Sequence, residues 1–433
     1  MLTTNLVMPL EQLNIRDNTL SSNLHIFEDV SSYTKKQHLS HYQELNLASV
    51  IQPIYSIDHQ RTIGYEALVR ATTAKGEKIP PLTLLDMPEN EQEAIYLDRL
   101  CRFTHMANFH QIINDNCWLF INISALVSEK GRKDGPFFAE LLKKFNIKAS
   151  NVVVEIIEDE ATDRNQLLDS INYYKEMGCM IAIDDFGAGH SNFERVWSLQ
   201  PDIVKLDRSM ILRAIESETT QQMLNSIVQL LHQANCLVVI EGVENEQQAL
   251  TAMSSGADFI QGFFFAKPQR FQQIDFDKSA IFNQLSSKFI AVEQRKITQE
   301  NQQDEKYVSS FKQCILNIQQ GESFIKATSD FNLLTGTKRC YLLDHIGDQI
   351  EKTILFNKEQ GKSKFSQLQE SEKANWYRKS YVIQAIKKHS RICISEPYRS
   401  ITGDVMCITL SMSFNVQNKQ QILCLDINRS NFT

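Results

Sequence analysis

The chain is predicted to be an α/β protein: a barrel of eight strands with one antiparallel strand, then a helical connector and a small α+β domain. Three observations carry that expectation. Short apolar runs alternate with amphipathic stretches over residues 43–270. Each run has a polar residue at, or just past, its end. The first two runs are separated only by DHQRT, too short for a parallel crossover, so one strand there must run against its neighbour.

The runs that carry these polar residues follow one another about 20 to 60 positions apart. The residues are Glu66 in TIGYEALVR, Asn122 in WLFINIS, Glu155 in VVVEIIE, Asp184 and Asp185 in MIAIDDFG, Lys205 in DIVKLD, Glu241 in LVVIEGVE and Gln261 in ADFIQG. A repeat of strand, polar tip and helix closes most simply into a TIM-like barrel. Such a barrel gathers its strand tips at one face, where its chemistry sits.

Taken in order, residues 1–42 are polar without a clear period and read as a poorly ordered lead-in or a short docking helix. Strands are expected near 50–57, 63–69, 117–123, 152–157, 180–184, 203–206, 237–241 and 258–263. AIYLDRLCRFTHMANF and TTQQMLNSIVQLLHQA are amphipathic enough for intervening helices. Phe282, Leu285, Phe289 and Val292 then recur at helical spacing, which predicts a connector over 271–300. From 301 to 433, RCYLLDHIGDQI, SRICISEPYRS, DVMCITLSMSFN and QQILCLDINRS read as strands, with NWYRKSYVIQAIKKH helical among them. Strands with helices to one side predict a small α+β domain with an antiparallel sheet.

Bulk properties narrow the function. A chain of 433 residues is long enough for two or three domains. The net charge of -7 gives no reason to expect a duplex nucleic acid partner. No apolar run approaches the ~20 residues of a membrane span. MLTTNLVMPLEQ lacks the pattern of a signal peptide, so a cytoplasmic location is expected. The nine cysteines sit mostly in apolar runs and none forms a CxxC pair, which favours buried thiols over disulfides or structural zinc.

Glu66, Asn122, Glu155, Asp184 and Asp185 offer only oxygen, the donor that hard cations such as Mg²⁺ or Mn²⁺ prefer. Several acids in one pocket are tolerable only around a cation. Two adjacent aspartates at one tip could reach two ions, a layout used in phosphodiester hydrolysis. Lys205 could orient or deprotonate a water, or simply balance charge.

The segment QPIYSIDHQRTIGYEALVR, with Glu66-Ala67-Leu68, resembles the signature of the EAL phosphodiesterases, which hydrolyse cyclic di-GMP. The resemblance continues in order through LFINIS, VVVEIIE, IAIDDFGAGHS, PDIVKLDRSMI, VVIEGVE and ADFIQGFFFAKP, over residues 43–268. It implies that Glu66, Asn122, Glu155 and Asp184 bind a first metal and Asp185 a second. It implies that Lys205 positions or activates the attacking water, that Glu241 holds the lysine or the metal waters, and that Gln261 completes the pocket. Arg70 resembles an arginine that contacts a substrate phosphate, an anion suited to its fork. Gln52, Pro53 and Leu68 would join the substrate wall. The implied reaction opens one 3′–5′ phosphodiester of cyclic di-GMP to give linear pGpG.

The loop DDFGAGHSNFERV resembles one that couples the metal site to a homodimer interface, through Phe186, Gly187, Gly189 and His190, braced by Glu158. The family commonly has Thr and Tyr where this chain has Ala188 and His190, and Thr where it has Ile157. The C-terminal third resembles Cache or PAS-like domains through YLLDHIGDQI, NWYRKSYVIQAI, EPYRS and ILCLDINRS. Trp376, Tyr377 and Asp426 would line a pocket for an unknown small molecule, without the arginine usual before the Trp-Tyr pair. Two other readings stand beside the hydrolase: a catalytically silent module that binds cyclic di-GMP or a protein, and a barrel aldolase using Lys205 as a Schiff base. Carboxylates around Lys205 would raise its pKa and disfavour the last.

Overall fold

The computed structural model describes residues 24–34, 37–110, 117–124, 137–157, 164–188, 193–273, 278–356, 374–400 and 406–428. The described residues form two compact units that divide between Phe289 and Ile290.

The first unit is built on eleven strands: β1 (Ser31–Thr34), β2 (Gln37–Tyr42), β3 (Leu45–Ser56), β4 (Arg61–Thr73), β5 (Lys78–Ile79), β6 (Trp118–Ser124), β7 (Val152–Ile157), β8 (Met180–Phe186), β9 (Ile203–Leu206), β10 (Leu237–Ile240) and β11 (Phe259–Ile260). The order β3-β11-β10-β9-β8-β7-β6-β4 closes on itself because β3 also pairs with β4. That ring is a barrel of eight strands. All its pairings are parallel except those of β3, which runs against both β4 and β11. The hairpin-short DHQRT forces this, as expected from the sequence.

Helices Glu91–Phe109, Phe137–Lys144, Arg164–Glu176, Phe193–Leu199, Arg208–Ala214, Glu218–Gln233 and Glu246–Ser254 fill the crossovers. The 16-residue helix Glu218–Gln233 starts at a reciprocal Ser217–Thr220 capping box, which satisfies backbone donors that the first turn leaves open. Side chains on the outer face of the strands pack against these helices. Those on the inner face form a separate core of Ile54, Phe120, Val153, Ala182, Ile203, Val239 and Phe259. Gly64 makes room for it, because a Cβ there would lie 2.6 Å from Phe120 Cε2.

Two sequence expectations shift. Residues 24–34 and 37–42 are part of this unit: beside the short helix Leu24–Asp29, which buries Phe27, they add strands, and β2 pairs with β3 from Leu39 to Tyr42. The connector expected over 271–300 is longer than that: a single helix runs from Ser279 to Gln319, through the polar stretch QENQQDEK. Alternating charges along a helix are compatible with solvent on every side, so polarity alone does not end one.

The second unit holds an antiparallel sheet of β12 (Thr337–Asp344), β13 (Ile354–Leu355), β14 (Cys393–Ile394), β15 (Tyr398–Arg399), β16 (Met406–Val416) and β17 (Lys419–Asn428). Two buried clusters flank it, one including Phe311, Phe331 and Leu425, the other Tyr341, Trp376 and Val382. The expected helix is confined to Ser380–Lys387, so Trp376 and Tyr377 lie before it rather than on it. Among the described residues, no helix is long and apolar enough to cross a membrane.

Candidate active site at the mouth of the barrel

Side chains alternate along a strand, so the residue two past an inner-core position also faces inward. Two past Phe120 is Asn122, past Val153 is Glu155, past Ala182 is Asp184, past Ile203 is Lys205, past Val239 is Glu241 and past Phe259 is Gln261. On the antiparallel β3 the count runs backward, and Gln52 stands two before Ile54. Gln52 is paired in register with Glu66, itself two past Gly64. One polar layer therefore sits on one apolar floor.

Adjacent residues normally point to opposite faces, so Asp184 and Asp185 should diverge. A bulge prevents this. Between Ile183 and Phe186 the β8–β9 register slips by one residue, and Asp185 takes φ 52°, the left-handed region that costs most residues energy. Gly187 follows at φ 100°, where a Cβ would come within 2.6 Å of Met210 Sδ. One oxygen from each of Asp184, Asp185 and Glu241 lies within 4.8 Å of the others, as do oxygens of Glu66, Glu155 and Asp184. Asp184 belongs to both groups.

Lys205 sits at the centre, its side chain only 1% exposed. Its Nζ lies 2.7 Å from Glu241 Oε1, 2.8 Å from Glu155 Oε1, 3.1 Å from Asp184 Oδ1 and 3.6 Å from Glu66 Oε1. Burial alone would lower its pKa, but Glu155, Glu241, Glu66 and Asp184 drive it well above the usual lysine range. Burial pushes the Glu155 carboxyl far up, with Glu66 and Asp184 adding to the shift against Lys205. Burial likewise raises Glu241 to about 8, despite Lys205. Asp185 is raised by burial and by Asp184 and Asp207. One ammonium is thus too little charge for the acids it faces.

The donor set fits a hard divalent cation. Asn122 Oδ1 and Glu155 Oε2 are buried with no hydrogen-bond partner, although Asn122 Nδ2 donates to Glu66 Oε1 at 3.4 Å. An unsatisfied buried acceptor beside several carboxylates is costly unless a cation takes it up. Gln261 Nε2 donates to Glu66 Oε2 at 2.6 Å and to Gln52 Oε1 at 3.2 Å, and Gln52 Nε2 donates to Ala266 O at 3.1 Å.

Leu68 and Arg70 share the inward face of β4 with Glu66. Arg70 is half-buried, and its Nη1 donates to the Val69 carbonyl at 2.8 Å. Burial lowers its pKa, against the Glu66 charge. By strand alternation Pro53 falls on the face of β3 opposite Gln52, the face of Ile51 and Tyr55. Phe186 is buried against the Phe193 ring. Glu158, Gly189 and His190 lie outside the described residues.

Two of the three residues expected to line a sensor pocket, Asp426 and Trp376, are buried. Asp426 is fully buried, and its carboxylate accepts from Arg339 Nε, from Thr409 Oγ1 at 2.7 Å, from Tyr398 OH at 3.2 Å and from Tyr341 OH at 3.3 Å. The Arg339 guanidinium stands 5.4 Å from the Trp376 ring and 5.2 Å from Tyr341. Asp426 and Trp376 meet at Arg339, whereas Tyr377 is 49% exposed and does not join them. An internal cation already neutralises the acid. The sequence signal for it was an arginine within the otherwise apolar run RCYLL.

Comparison with known proteins agrees with this barrel. The profile of the EAL domain matches residues 36–268. YkuI of Bacillus subtilis, an EAL-domain protein, is 26% identical over 350 residues, which cover 78% of this chain and 83% of YkuI. Its crystal structure, in complex with the substrate c-di-GMP and calcium, superposes with a TM-score of 0.74 at 23% identity, over 88% of this chain and 96% of that one. The cyclic di-GMP phosphodiesterase PdeF of Escherichia coli is 36% identical over 132 residues, 30% of this chain. The chain spans only 18% of the length of PdeF. With the profile covering more than half of its residues, this chain belongs to the EAL-domain family.

Proposed function

We propose that the protein hydrolyses cyclic di-GMP, opening one 3′–5′ phosphodiester to release linear pGpG, and that its second unit modulates the rate. The observation that carries this reading is the ring of four carboxylates within 3.6 Å of a single lysine, next to the unpaired Asn122 Oδ1. A dianionic cyclic dinucleotide would be repelled from that ring unless cations offset it.

Glu66, Asn122, Glu155 and Asp184 would hold one divalent ion, and Asp184 with Asp185 the other. Mg²⁺ or Mn²⁺ suits the all-oxygen set. When bound, such ions supply charge neutralisation at the phosphate and ready ionisation of water. The protein's own groups do the rest. Lys205, fixed by Glu155 and Glu241, presents an ammonium that holds the attacking water on line with phosphorus. Glu241 keeps that ammonium aimed. Gln261 and Gln52 hold the Glu66 carboxylate in one orientation. Arg70 offers its fork to a phosphate oxygen pair, and Leu68 provides an apolar wall beside it. Phe186 and Gly187, with Glu158, Gly189 and His190, would transmit a homodimer contact to Asp184 and Asp185.

The test is direct. The full chain is incubated with cyclic di-GMP and Mg²⁺ or Mn²⁺, and pGpG is sought by chromatography. Steady formation of pGpG that Glu66→Ala abolishes is the expected result. Binding without product under either ion, with Glu66→Ala matching the parent, would make the protein a silent receptor instead.

A further inference from the structure

Within the second unit, one face of the helix Ser279–Gln319 and the segment leading into β14 enclose an open groove of about 510 Å³. Small-molecule sites span about 300–1,000 Å³. Val308 and Leu316 from the helix, Ile392 and Met412 from the sheet side give it apolar walls. The charged residues in its lining are Lys312 and Arg391, both basic, and no acid lines it.

The helix places Val308, Lys312 and Leu316 in one row at i, i+4 spacing, so a base stands between two apolar side chains. Leu316 is 48% exposed, an apolar surface left facing the groove. Among the described residues, neither Lys312 nor Arg391 is held in an ion pair. Lys312 and Arg391 are themselves exposed, whereas the buried Arg339 and Arg102 are matched by Asp426 and Asp98. Here the counter-charge is missing from the lining.

We infer that this groove binds a small amphipathic anion, with an apolar body along the Val308–Leu316 row and one carboxylate head between Lys312 and Arg391. Medium-chain fatty acids are the class that fits. A second copy of the chain fits less well. In a two-fold contact through the groove, each base would face bases of the other copy with no acid between them. A neutral apolar ligand would make no use of the two bases, which are exposed.

The experiment titrates the full chain with decanoate and, separately, with decanol, by calorimetry. Decanoate is expected to bind at least tenfold more tightly than decanol. Lys312→Gln combined with Arg391→Gln should lose that preference and leave decanol binding unchanged. Leu316→Arg, at an exposed position, should block both ligands without shifting the melting temperature. Equal binding of the two ligands, unaltered decanoate binding by the double variant, or no binding by the parent overturns the assignment. So does a parent dimer in light scattering that Leu316→Arg splits, because the groove would then be a contact between copies. The titration reads no turnover, so its failure leaves the proposed hydrolysis standing, and the reverse holds.

Discussion

Gln52 and Glu66 stand opposite each other in the one antiparallel seam of the barrel, and a single Gln261 amide bridges their side chains at 3.2 and 2.6 Å. The bridge leaves Glu66 one orientation in which Oε1 faces Lys205. Outer partners that orient a metal ligand typically contribute 10–100-fold in affinity or activity. Gln261→Ala is therefore expected to raise the Mn²⁺ concentration for half-maximal hydrolysis about 10–100-fold. A Mn²⁺ titration of pGpG formation reads this directly, and a curve that overlays the parent would remove Gln261 from the positioning role.

Lys205 neutralises acids that nothing else among the described side chains of the ring neutralises. Lys205→Met should abolish hydrolysis and lower the melting temperature in chelator, because a buried charge that loses its partner costs about 3–5 kcal/mol. Mn²⁺ should then raise the variant's melting temperature by more than it raises the parent's. Equal metal-induced shifts in the two proteins would show that lysine and metal do not share the same carboxylates.

His105 supplies an acid-sensitive element away from the metal ring. Its ring is buried, its Nδ1 lies 2.8 Å from Ser49 Oγ, and burial, with the nearby Arg70 charge, holds its pKa down to about 4. The unfolded chain takes up that proton near the ordinary 6.5, the folded chain only near 4. Lowering pH through that window therefore pulls the equilibrium toward the unfolded state, by about 3 kcal/mol in all. Urea denaturation at pH 7 and at pH 4 should show this loss, and His105→Gln should shrink it. An unchanged pH dependence in the variant would assign the acid sensitivity elsewhere.

The Arg339–Asp426 pair predicts an asymmetry. Both side chains are nearly fully buried, at 6% and 0% exposure. Arg339→Leu or Asp426→Asn alone should cost about 3–5 kcal/mol, whereas an apolar replacement of both should cost far less. A double-mutant cycle by denaturation measures the coupling. Additive losses would mean that the tyrosines and Thr409, not the ion pair, hold Asp426.

The polar residues of the barrel were legible because a strand hides one face and must end somewhere. Runs such as VVVEII and LVVIEG mark both the burial and the tip. Their order, and the antiparallel first strand, followed from run spacing and from the shortness of DHQRT. Three things were not legible. The pairing of Gln52 with Glu66 was not, since register is fixed only when the strands meet. The pairing of Asp426 with Arg339, 87 residues away in sequence, was not legible either. The full length of the connector was not legible, because its polar middle carries no periodic apolar residues to mark it as helix.

By itself, the sequence determined which residues carry charge on apolar strands and in what order they come, because period-two burial and the length of a crossover are local constraints. Only the tertiary structure decided which of them share an ion-sized space. The Asp185 bulge, the Gln52–Gln261–Glu66 bridge and the convergence of four carboxylates on Lys205 all depend on barrel closure, which brings together atoms that no local pattern relates.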